Sequence, residues 1–106
     1  RQEYKRVAIR VFGRVQGVFF RQTTKEVAEK LGLTGWVRNE PGSSVFIVAE
    51  GEENELQKLI EWCKKGTEET HVKSVGVTWY SDADEFSEFQ IVHNRISMKI
   101  ILSQNV

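Results

Sequence analysis

The sequence predicts an α+β domain, a split β-α-β sandwich in which two helices cover one face of an antiparallel sheet. Apolar residues alternate at a period of two in several short segments, two intervening segments carry helical spacing, and a glycine stands where each helix should stop. Taken along the chain these elements read β-α-β-β-α-β, with an optional extra strand.

The first strand is "RVAIRVF", which sets Val7, Ile9 and Val11 on one face and Ala8, Arg10 and Phe12 on the other. Residues 21–31 have helical spacing, bury Phe20, Thr24, Val27, Ala28 and Leu31, and stop at Gly32, a residue suited to the left-handed position after a helix. "LTGWVRN" and "VFIVAEG" then form a hairpin across "EPGSS", where Pro41 fixes one backbone angle and Gly42 frees another. The second of these strands is almost wholly apolar, as expected for a strand covered on one face and flanked on both sides. Over residues 52–65, Leu56, Leu59, Ile60 and Cys63 mark a second amphipathic helix. Its first turn is acidic and its last carries Lys64 and Lys65, matching the helix dipole, before Gly66 ends it. "HVKSVGVTWY" alternates Val75, Val77 and Trp79, and after the acidic "SDADE" the segment "FSEFQIVH" forms a short last strand.

One domain is expected over residues 1–93, leaving 94–106 as a C-terminal extension. Its stretch "ISMKIIL" is apolar enough to add a strand, pack as an arm or touch a second copy; a monomer is expected, with a tail-mediated dimer as the other arrangement.

With 106 residues the chain can bury a core without staples. Fifteen basic and fifteen acidic side chains cancel, which argues against nucleic-acid or membrane binding by bulk charge. Their distribution is uneven. Arg1, Lys5, Arg6, Arg10, Arg14 and Arg21 crowd the start, whereas Asp82, Asp84, Glu85 and Glu88 cluster late, so an anion site belongs near the start. The single cysteine, Cys63, leaves no internal disulfide or Cys-rich zinc cluster and fits a reducing compartment. With no apolar stretch of membrane-spanning length and no secretory signal pattern, a cytoplasmic protein is expected.

The chemistry is concentrated in "GRVQGVFFR", residues 13–21, at the junction of the first strand and first helix. Gly13 and Gly17 permit unusual backbone angles, so successive N–H groups can turn inward as an anion-binding concavity at the positive end of the helix. Arg21 adds a planar, permanently charged fork for two phosphate oxygens. From the glycines alone an ordinary turn with a surface arginine is the commoner reading. No Gly-Lys-Ser/Thr follows, so this is not a nucleotide-binding P-loop, and it is not a GxGxxG dinucleotide loop. Asn39 closes "LTGWVRN", where the fold can bring it back toward the start of the first helix; its amide can orient a water without taking its proton. Taken singly, Asn39 is more often a turn-starting residue beside Pro41 and Gly42.

Together "GRVQGVFFR" and "GWVRN" resemble the acylphosphatase family, over about residues 6–93. The resemblance implies a ferredoxin-like sandwich that hydrolyses the carboxyl-phosphate bond of acyl phosphates without metal or cofactor. By that likeness Gly13, Arg14, Val15, Gln16, Gly17, Val18, Phe19 and Phe20 cradle the phosphate through backbone N–H groups. Arg21 binds its oxygens and Asn39 positions the attacking water. Substrate is then a small acyl phosphate, with inorganic phosphate as product or inhibitor. The chain departs from the family where members often carry Asp-Gly-Ser: here stand Gly42, Ser43 and Ser44, and Glu40 sets a carboxylate beside the expected water site.

Other residues fit this chemistry less well. His71 and His93 have no nucleophile or carboxylate at a recognisable spacing and read as surface residues, Cys63 as a packed small hydrophobe, and Trp36, Trp62 and Trp79 as core and rim packing. Two rival functions remain. The fold and motif also resemble the N-terminal, carbamoyl-phosphate-handling module of larger carbamoyltransferases in hydrogenase maturation, and a non-enzymatic module would bind phosphate without turnover.

Overall fold

The computed structural model describes residues 4–17, 19–81 and 85–93. The expected C-terminal arm and most of the acidic loop lie outside the described residues.

In β1 (Tyr4–Arg14) the alternation seen in the sequence is realised: Val7, Ile9 and Val11 are fully buried. They face α1 (Phe20–Lys30) and α2 (Glu53–Lys65), whose inward residues include Phe20 and Ala28 from α1 and Leu56, Leu59, Ile60 and Cys63 from α2. Val27 and Leu31 are only partly buried at the edge of this core. Burial pushes the Cys63 thiol well above its ordinary range, so it behaves as the packed hydrophobe expected of it.

The hairpin forms β2 (Thr34–Asn39) and β3 (Val45–Glu52), followed after α2 by β4 (His71–Ser81) and β5 (Phe89–Ile91). The sheet order is β4-β1-β3-β2-β5, and both helices cover one face. Pairings among β1, β3, β4 and β2 are antiparallel, but β5 pairs parallel with β2, so the sheet is mixed rather than wholly antiparallel. The reason is directional. The chain reverses once after β4, crosses to the opposite edge, and meets β2 running the same way. Trp79, on the same face as Val75 and Val77, is 38% exposed at the rim, because β4 is an edge strand.

The sheet's second face is also partly covered, by Trp36, Val48 and Val92 with Ala8, Phe46 and Phe86. There Glu50 is fully buried, although it sits in a segment that reads as apolar. Arg6, its cross-strand partner, donates through Nε at 2.8 Å, and the backbone N–H groups of Glu85 and Phe86 donate to the other carboxylate oxygen at 2.7 and 3.0 Å. Removing this acceptor strands two N–H groups and part of an ion pair. Glu50→Ala is therefore expected to lower the unfolding free energy by about 3 kcal/mol, read from the midpoint of denaturant unfolding. A shift within about 0.5 kcal/mol would show that the loop does not depend on Glu50.

Candidate active site

β1 ends in a bulge that sets where the next loop begins. Register against β4 slips between Phe12 and Gly13, and Gly13 has φ 133. A Cβ there would lie 2.1 Å from the carbonyl oxygen of His71, so close strand approach requires glycine. Gly13 and Arg14 thus belong to the sheet. Neither lines the pocket that opens just beyond them.

That pocket, of about 300 Å³, is lined by Val15, Gly17, Phe19, Phe20, Arg21 and Gln22 from the loop and α1, and by Asn39, Ile91 and His93 from the strand side. Val15 is buried and anchors the loop to the core. Gln16 points elsewhere: its amide donates to the carbonyl oxygens of Glu40 at 2.8 Å and Ser44 at 2.7 Å, tying the loop to the turn that follows Asn39. Gly17 (φ 78) and Phe19 (φ 59) both adopt left-handed angles before α1 starts. Val18 lies outside the described residues.

The start of α1 is held firmly. Phe20 is buried and stacks on Trp62 of α2 with ring centroids 5.1 Å apart. Arg21 follows directly and is half-buried. First-turn N–H groups of a helix have no intrahelical acceptor, and here no side chain caps them and no carboxylate sits in the first turn. Arg21 adds a second positive charge at the positive end of the dipole, an arrangement unfavourable by about 0.3–1 kcal/mol until an anion arrives. The local electrostatics favour an anion.

Opposite stands Asn39, the last residue of β2. Among the described residues four buried side-chain atoms lack a hydrogen-bond partner: Thr34 Oγ1, Trp36 Nε1, Arg38 Nε and Asn39 Oδ1. Only Asn39 lines the pocket. Its acceptor oxygen is buried at the pocket's strand side and has no partner among the described residues. Glu40, adjacent in sequence, does not line the pocket. Its carboxylate accepts from Arg10 at 2.6 and 3.1 Å, from Arg38 at 3.3 Å and from the Ser44 hydroxyl at 3.1 Å. Hydrogen bonding from Arg10 holds its carboxyl below the ordinary range. Arg10 and Arg38 also lie over the Phe46 ring, on the face away from the helices. The expected carboxylate beside the water site is thus engaged elsewhere.

His93 is exposed, as expected, yet it belongs to the pocket: Arg21 Nη1 lies 3.4 Å from its Nδ1. Sequence reasoning missed it. The signal was the parallel pairing Gly35–Phe89, Trp36–Gln90 and Val37–Ile91, which, continued two residues, sets His93 beside Asn39. His71 pairs with Arg14 at the start of β4 and does not line the pocket.

The fold is a ferredoxin-like sandwich, and its pocket brings together an arginine at an uncapped helix start and an amide from the end of β2. An acylphosphatase family model matches residues 7–91. An acylphosphatase from Marinobacter nauticus is 47% identical over 83 residues, 78% of this chain and 90% of its own. The crystal structure of acylphosphatase from Bacillus subtilis superposes with a TM-score of 0.80 at 40% identity, covering 83% of this chain and 98% of that one. Full-length HypF, in a phosphate- and nucleotide-bound form, matches at 28% identity and a TM-score of 0.76, but this chain covers 12% of it. The chain belongs to the acylphosphatase family.

Proposed function

We propose that this family member hydrolyses acyl phosphates to a carboxylate and inorganic phosphate by direct attack of water on phosphorus, with Arg21 and Asn39 as its two catalytic side chains. The observation that carries the reading is their meeting in one pocket, a guanidinium at an uncapped helix start together with an amide whose buried oxygen has no partner. The phosphoryl oxygens sit against Arg21 and the first-turn N–H groups, with the loop N–H groups of Val15, Gly17 and Phe19 completing the cradle. Asn39 Oδ1 accepts a hydrogen bond from the water and aims its lone pair at phosphorus. As the new P–O bond forms, the bond to the acyl oxygen breaks and the carboxylate leaves with the electron pair. The water's proton passes to a phosphoryl oxygen of the substrate itself. No protein base is needed, because a carboxylate is already a good leaving group. Catalysis is positioning plus electrostatic stabilisation, in which a well-placed donor supplies about 3–4 kcal/mol.

The carbamoyl-phosphate-handling module is the weaker reading, since identity to HypF is 28% against 47% for the Marinobacter relative. A buried free thiol supports a reducing, cytoplasmic setting. The charge that metal supplies in many phosphoryl-transfer sites comes here from Arg21 and backbone N–H groups. Dialysis against EDTA is therefore expected to leave turnover unchanged, and loss of activity restored by magnesium would overturn the metal-free mechanism. The reading itself is tested by phosphate release from benzoyl phosphate, with p-nitrophenyl phosphate as control. Hydrolysis of the acyl phosphate and not of the monoester is expected; phosphate binding without turnover would instead identify an anion-binding module.

A further inference from the structure

The pocket has a buried polar floor and an exposed rim, and the two ends face different parts of the substrate. Asn39 Oδ1 is fully buried, whereas Gly17, Phe19, Gln22 and His93 are the exposed lining residues. In-line displacement at phosphorus sets the leaving group across from the attacking water. With the water at the buried Asn39 oxygen, the acyl group must extend outward, toward the rim.

At that rim Phe19 is, among the described residues, the one large apolar side chain, and it is 82% exposed. Its backbone is also left-handed (φ 59, ψ 21), a region bulky residues disfavour. Neither core packing nor local backbone preference accounts for phenylalanine here. Glycine would satisfy the angle and a polar residue would satisfy the solvent. The partly buried Ile91 continues the apolar lining inward from β5.

We infer that the Phe19 ring, beyond any role of its backbone N–H, is the surface that recognises the acyl group, and that the preferred substrates are acyl phosphates bearing an apolar chain rather than acetyl or carbamoyl phosphate. The inference rests on the hydrolase reading above. It deepens that reading by assigning a substrate class to the same pocket.

The test compares kcat/KM for acetyl, butyryl and hexanoyl phosphate, whose carboxylates are leaving groups of nearly equal basicity, so that chain length is not confounded with reactivity. The value should rise with chain length, with hexanoyl about tenfold above acetyl, as expected for methylenes only partly withdrawn from water. A contact made equally in ground and transition states places this gain in KM rather than kcat. In Phe19→Ala the hexanoyl-to-acetyl ratio should fall to within about twofold of one. A flat series in the unaltered protein, or an undiminished ratio in Phe19→Ala, would overturn the assignment while leaving hydrolysis intact. Failure to hydrolyse any of the three would remove the hydrolase reading and this assignment together.

Discussion

Arg21→Ala is expected to lower kcat/KM for benzoyl phosphate by about a thousandfold, roughly 4 kcal/mol of transition-state stabilisation, and to weaken inhibition by inorganic phosphate in parallel. Both losses follow from one contact, because the guanidinium binds phosphoryl oxygens before and during transfer. The fixed geometry of the fork matters as much as its charge. Phe20, buried and stacked on Trp62, holds the backbone from which Arg21 projects, so a shorter or rotated cation would not reach the same two oxygens. Arg21→Lys should accordingly recover little of the lost rate. Retention of near-normal phosphate inhibition in folded Arg21→Ala would place the anion site elsewhere.

Asn39→Ala separates rate from binding. Its side chain is proposed to hold water alone, so kcat should fall by about a hundredfold or more while the inhibition constant for phosphate stays within about threefold. Circular dichroism must show the variant folded, although little disruption is expected, since Asn39 Oδ1 has no hydrogen-bond partner to lose. A near-normal kcat, or a loss of phosphate affinity as severe as that of Arg21→Ala, would end its role as water-positioner.

Much of this could be read before any coordinates because the relevant physics is local. Val7, Ile9 and Val11 alternate within one strand, and the face they define is the face that packs. Arg21 and Asn39 each sit at an element boundary marked in sequence, one at a helix start and one at a strand end, so the topology alone brings them together. What the sequence concealed depends on pairing between distant segments. Gly13 looks like a loop glycine, but its need for glycine comes from the His71 carbonyl across the sheet. Glu50 sits in an apolar run and is buried because Arg6, Glu85 and Phe86 reach it from other elements. Gln16 reads as part of a phosphate loop, whereas its side chain fastens that loop to the turn after Asn39. His93 becomes part of the pocket only once the parallel register of β5 is known. Phe19 gave no signal, since left-handed angles at phenylalanine are not anticipated from composition.

The most direct measurement follows the oxygen. A water held at Asn39 and a phosphoryl group held by Arg21 require the new bond to form at phosphorus, with the original acyl oxygen leaving intact. Hydrolysis of benzoyl phosphate in oxygen-18 water, analysed by mass spectrometry of both products, should place one label in each inorganic phosphate and none in benzoate. Label in benzoate would mean attack at the carbonyl carbon and would contradict the assignment of this pocket to phosphoryl transfer.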